Sequence, residues 1–202
     1  MILPATLTAG FKERDWMMEE QRSAKYSGLA MTLHWLMVVG VIANWRIAEA
    51  GEHAATDEAR SAIMGNHFAI GILLLLVVIV RLVVRITGSP PPLSSNYASW
   101  ERILARTTHT VFYILLIVMP FAGWIAMSKY GAPISVFGIF SVPPLPLAVD
   151  PDGAKAIFES HAVAGTVLLV LVAIHILGTL KHTLIDKDGN IFRMLPFGQP
   201  KA

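Results

Sequence analysis

Four stretches of this chain are long and apolar enough to cross a bilayer, and they limit what it can fold into. They cover residues 30–48, 66–86, 107–127 and 160–180. A membrane helix needs about 20 mostly apolar residues. Four such runs linked by polar loops predict an all-α integral membrane bundle of four transmembrane helices. Composition agrees: 54% of residues are apolar and only 15% are charged. A soluble domain averages about 25% charged residues. A chain of 202 residues exposes too much surface to be solvated by so few.

Charge placement predicts orientation. The N-terminal segment, the second loop with its flanks and the C-terminal tail hold twelve of the sixteen Lys and Arg residues and seven of the fourteen acids, a net of +5. The first and third loops hold Arg46, Arg60, Lys129, Lys155 and seven acids, a net of −3. Cationic loops stay inside, so both termini are expected in the cytoplasm. Residues 1–25 read as a polar cytoplasmic extension, 26–186 as the four-helix unit and 187–202 as a cytoplasmic tail. Residues 1–25 lack the apolar core and small-residue site of a signal peptide. Met17 or Met18 would serve as a start as well as Met1. The third loop, residues 128–159, carries five of the twelve prolines and is expected to be irregular, with one short interfacial turn near 134–140. Pro120 lies inside the third span and is expected to kink it. No basic run suits nucleic acid. Small residues on the helix faces are compatible with a homodimer.

The chain has no cysteine, which excludes disulfides, thiolate catalysis, Cys-ligated zinc and iron–sulfur clusters. Six of the seven histidines lie in or beside the spans: His34, His67, His109, His161, His175 and His182. Ionisable groups inside a membrane are costly and point to function. His161 and His175 are fourteen residues apart, about 21 Å along one helix and only about 40° short of whole turns. Both face one way, near opposite ends of a span. Because the spans alternate in direction, depth pairs His67 with His161 on the outer side and His34 with His175 on the inner side. His109 competes as an inner ligand, and its shallower depth pairs it loosely with His182.

Paired imidazoles without cysteine suit two haem b groups, each with iron between two histidines. Zinc would want a third or fourth ligand at each site. Ala30, Gly71, Gly165 and Gly178 sit beside these histidines and would let a flat macrocycle approach. Arg81 lies fourteen residues after His67, on its face and at inner depth. It either pairs with a haem propionate or snorkels with Arg85 to the headgroups.

The segments KYSGLAMTLHWLMVV, NHFAIGILLLLVVIVRLVVRI, THTVFYILLIVMPFAGW, SHAVAGTVLLVLVAIHILGTLKH and KDGNIFRMLP resemble the prokaryotic cytochrome b561 family, in order, over residues 25–196. The resemblance implies a di-haem protein of the bacterial inner membrane that exchanges electrons with ubiquinone or another quinone. It implies iron ligation by His34 and His175 on the inner side and by His67 and His161 on the outer side. It places His182 at the quinone site as the catalytic residue. It also suggests superoxide as an outer donor, although acidic outer loops would equally suit a basic periplasmic protein. Two other readings fit the spans. One is a cytochrome b subunit that anchors a periplasmic dehydrogenase or hydrogenase. The other is a haem-free protein whose histidines bind metal or sense pH.

Overall fold

A computed structural model describes residues 25–92 and 97–200. The N-terminal extension and its alternative start sites lie outside these residues. Four helices carry the fold: α1 (Gly28–Glu52), α2 (Asp57–Thr87), α3 (Ser99–Lys129) and α4 (Pro151–Leu180). All four are long and apolar enough to span a membrane, as expected for an all-α four-span bundle. Each is longer than its apolar run, because polar caps extend the ends. Ser27 Oγ accepts from the Ala30 amide at 3.2 Å, and Thr56 Oγ1 from the Ala59 amide at 3.2 Å. Asp150 caps α4 through the Gly153 amide at 2.9 Å, and Pro151 follows it at the first helical position, where its missing N–H costs nothing. The α3 helix runs through Pro120 without interruption.

The helices pack in series: α1 on α2, α2 on α3, α3 on α4. Neither α1 nor α2 approaches α4 closely along its length. The long apolar side chains that remain exposed, such as Val39, Leu76, Val118 and Val170, face where lipid would be.

The third loop departs from expectation in part. Residues 143–149 have no regular structure, but around the turn expected near 134–140 the chain forms an antiparallel hairpin, β1 (Ile134–Val136) with β2 (Phe140–Val142), in the register Ile134↔Val142. Its three-residue turn places Phe137 and Gly138 at φ +53 and +72. The Ile139 amide closes the turn on the Val136 carbonyl at 3.0 Å. Ile134 and Val136 are buried, with β1 against α2. Alternation over three residues is too short to read against five prolines, and the hairpin is stabilised by α2, which is remote in sequence. The loop is also tied to α3. Trp124 Nε1 donates to the Pro143 carbonyl at 3.0 Å. Buried Ser128 donates to the Trp124 carbonyl at 2.7 Å and accepts from the Leu145 amide at 2.9 Å.

At the opposite end, α4 continues into a π turn (Lys181–Ile185), followed by a 3₁₀ turn (Asn190–Met194). The tail then folds over the start of α1. The Tyr26 amide donates to the Arg193 carbonyl at 3.1 Å, and Trp35 Nε1 donates to the Met194 carbonyl at 2.7 Å.

Ser128→Ala leaves the Leu145 N–H without its acceptor, a loss expected to cost about 1–3 kcal/mol. A lowered thermal midpoint and faster proteolysis within residues 143–149 would report it. An unchanged midpoint would show that the hydroxyl does not hold the loop.

Candidate functional site

The histidines gather at two depths. At the end formed by the first and third loops, the His67 and His161 rings lie 6.0 Å apart, centre to centre. At the end holding the termini, His34 and His175 lie 6.3 Å apart. A metal–imidazole bond of about 2.0 Å, plus about 1.1 Å from nitrogen to ring centre, puts two axial imidazoles about 6 Å apart. Both pairs have the separation that one iron between two rings requires.

At the first pair, the second ring nitrogen of each histidine is already engaged. His67 Nδ1 lies 3.1 Å from the Asn44 carbonyl on α1, and His161 Nδ1 lies 3.1 Å from the Met119 carbonyl on α3. A carbonyl only accepts, so each Nδ1 carries the proton. That leaves Nε2 with a free lone pair, the arrangement that orients a metal-ligating histidine.

Space is provided as well. Each pair joins α4 to a helix that does not pack closely on it. A Cβ at Gly178 would meet nothing within 4 Å, and one at Gly71 or Gly123 only reaches ordinary contact, with Asn44 Nδ2 and His161 Cε1. The residues therefore fit a flat, iron-bearing macrocycle at each depth.

The remaining site candidates are spread over the terminal end. His109 on α3 lies 5.5 Å from His175, so geometry alone keeps it close to the inner pair. It is not brought to His182, whose ring stacks 4.3 Å from Tyr97. Arg81 donates through Nη1 to the Ala30 carbonyl at 2.8 Å and lies within the electrostatic reach of His34 and His175. His53 stays at the loop end, bonded only to Glu49 of its own helix.

Several residues around His182 were not foreseen. His182 Nδ1 lies 2.9 Å from Asp186 and 3.0 Å from Asp188. Lys181 joins Asp186 at 2.7 Å and Glu101 of α3. Glu101, His182 and Asp186 could converge on a cation, but the Lys181 ammonium already neutralises both carboxylates. The spacing of His182 to Asp186, one helical turn, was visible in the sequence. The approach of Tyr97 and Glu101 was not, because it depends on how the second loop folds.

These features define a class: a four-helix membrane protein with paired histidines stacked at two depths between separated helices. The signature of the family described as prokaryotic cytochrome b561 covers residues 25–197, and the chain belongs to that family. It is 32% identical over 182 residues to cytochrome b561 homolog 2 of Escherichia coli K12, covering 85% of this chain and 91% of the relative. It is 27% identical over 172 residues to the probable superoxide oxidase CybB of Yersinia pestis, covering 85% and 96%. Cytochrome b561 homolog 1 of E. coli is 25% identical over 175 residues, covering 85% and 97%. Membership implies b-type haem and electron transfer in a bacterial membrane.

The Tyr97 phenol is pushed up to about 12, first by burial and then by the Asp188 carboxylate. Below its ordinary value of 10, folded and unfolded chains both keep the proton. Between 10 and about 12 only the folded chain keeps it, so this contribution to stability falls as pH rises through that window. Tyr97→Phe should flatten the fall and remove the latest-ionising component of the tyrosinate absorbance. Identical titrations of the two proteins would refute the assignment.

Proposed function

We propose that the protein carries electrons across the bacterial inner membrane, from a donor at the loop end to quinone at the terminal end, with both termini in the cytoplasm. Two haem b groups would sit between His67 and His161 and between His34 and His175. The observation that carries this reading is the pair of ring separations, 6.0 and 6.3 Å, across helices that leave a gap. When bound, such a group would supply a one-electron carrier held by two histidines, which favours outer-sphere transfer over oxygen activation.

The chain's own residues then have separate tasks. The Asn44 and Met119 carbonyls hold the Nδ1 protons of His67 and His161 and so aim Nε2 into the gap. Gly71 and Gly123 keep that gap clear. Arg81 offers a fixed positive charge for the carboxylates of the inner group. His109 packs against His175 without serving as an axial ligand. His182 is the catalytic residue: Asp186 and Asp188 hold its Nδ1 proton and leave Nε2 to a quinone oxygen. Reduction of quinone takes two electrons and two protons, and the protons arrive from the cytoplasmic side, where His182 can hold and pass one.

Superoxide is the donor suggested by the name of the Yersinia relative. In this chain Arg60 pairs with Glu52 at 3.0 Å and Lys129 with Asp150 at 2.7 Å. Two of the four basic residues at the loop end are therefore neutralised, and an anion gains little steering there. A basic periplasmic protein is the second reading. Superoxide-driven reduction of the purified cytochrome separates the two.

His67→Ala or His161→Ala should halve the haem per chain, measured as pyridine haemochrome, and His34→Ala should do the same while His109→Ala leaves the count unchanged. Two haems retained in any of the first three variants would break the pairing. His182→Ala should keep both haems and slow reoxidation by quinone at least about tenfold. An unchanged rate would remove His182 from the reaction.

A further inference from the structure

A cavity of about 280 Å³ lies between the start of α1, the end of α2 and α3. Arg81, Arg85, Tyr26, Ser27 and Tyr113 line it, and each side chain is a hydrogen-bond donor. No carboxylate lines it. Among the described residues, neither arginine lies within ion-pair distance of an acid. The two guanidiniums are one turn apart on one helix, where like charges repel.

The two arginines are held differently. Arg81 is half-buried at the base, donating to the Ala30 carbonyl at 2.8 Å. Arg85 is exposed, its guanidinium 5.7 Å from the centre of the Tyr113 ring. Residues 87–90, where the α2 span ends, also line the cavity. Leu29, more than half exposed, and Val84 form an apolar wall beside it. The volume is just under the ~300 Å³ at which sites for drug-sized ligands begin, so it suits a headgroup and excludes a macrocycle.

We propose that this cavity binds the phosphate of an anionic phospholipid. Arg85 and the Tyr26 and Ser27 hydroxyls hold the phosphate oxygens, Arg81 supplies field from below, and the acyl chains run down past Leu29. Basic pockets between helices on the cytoplasmic side are suited to such headgroups. The site shares Arg81 with the proposed inner haem site, while its phosphate contacts rest on Arg85, Tyr26 and Ser27.

The full-length cytochrome in a neutral detergent is titrated with dioleoyl phosphatidylglycerol, with dioleoyl phosphatidylcholine or with inorganic phosphate. Binding is read by native mass spectrometry and thermal midpoint. Phosphatidylglycerol should bind one per chain and raise the midpoint, and phosphatidylcholine should do so much more weakly. Arg85→Gln should weaken phosphatidylglycerol binding about tenfold, Arg85→Lys should recover part of it, and both should keep the wild-type haem count. Equal binding of the two lipids, or equal stabilisation by inorganic phosphate, overturns the proposal. Loss of haem in Arg85→Gln without any lipid preference in the wild type also overturns it and assigns the cavity to the carboxylates of the haem.

Discussion

The bonds from an imidazole N–H to a carbonyl on the neighbouring helix fix much of this molecule. His67 reaches Asn44 from α2 to α1, and His161 reaches Met119 from α4 to α3. Each helical hairpin thus carries one such bond near its loop. In a hydrocarbon interior an unpaired N–H costs several kcal/mol, roughly, so each bond sets the register of its hairpin. It also fixes the tautomer. The same contact that links two helices leaves Nε2 as the unprotonated nitrogen of each ring. Packing and chemistry are set by one proton.

The spans and the depth of the histidines were legible because both follow from simple repeats: 1.5 Å of rise per residue and alternating direction across the membrane. The approach of His67 to His161 and of His34 to His175 was readable for that reason. What escaped depends on contacts remote in sequence. The hairpin at Ile134–Val142 takes its burial from α2, and the stacking of Tyr97 on His182 depends on how the second loop folds back. Helix ends were underestimated because Ser27, Thr56 and Asp150 continue helices into polar sequence where hydropathy has already fallen. His109 lies near His175 in space, so physics alone could not choose between the two as the inner ligand.

The two ends of the bundle differ in kind. The loop end is closed by a hairpin, an aromatic contact between Phe68 and Phe158 at 5.9 Å and short ion pairs that neutralise one another. The terminal end holds the arginine cavity on one side and the His182 network on the other. An electron donor and a proton-coupled acceptor would place such different demands on the two faces of one membrane protein.

The serial packing of the helices has a geometric consequence. The tail seals α1 at one end and β1 covers α2 at the other, yet α1 and α4 do not meet closely between them. The four helices form a series left unsealed along one flank. That flank opens sideways into the bilayer. A flat, greasy molecule dissolved in a membrane would reach the space between α1 and α4 through that flank without passing through water.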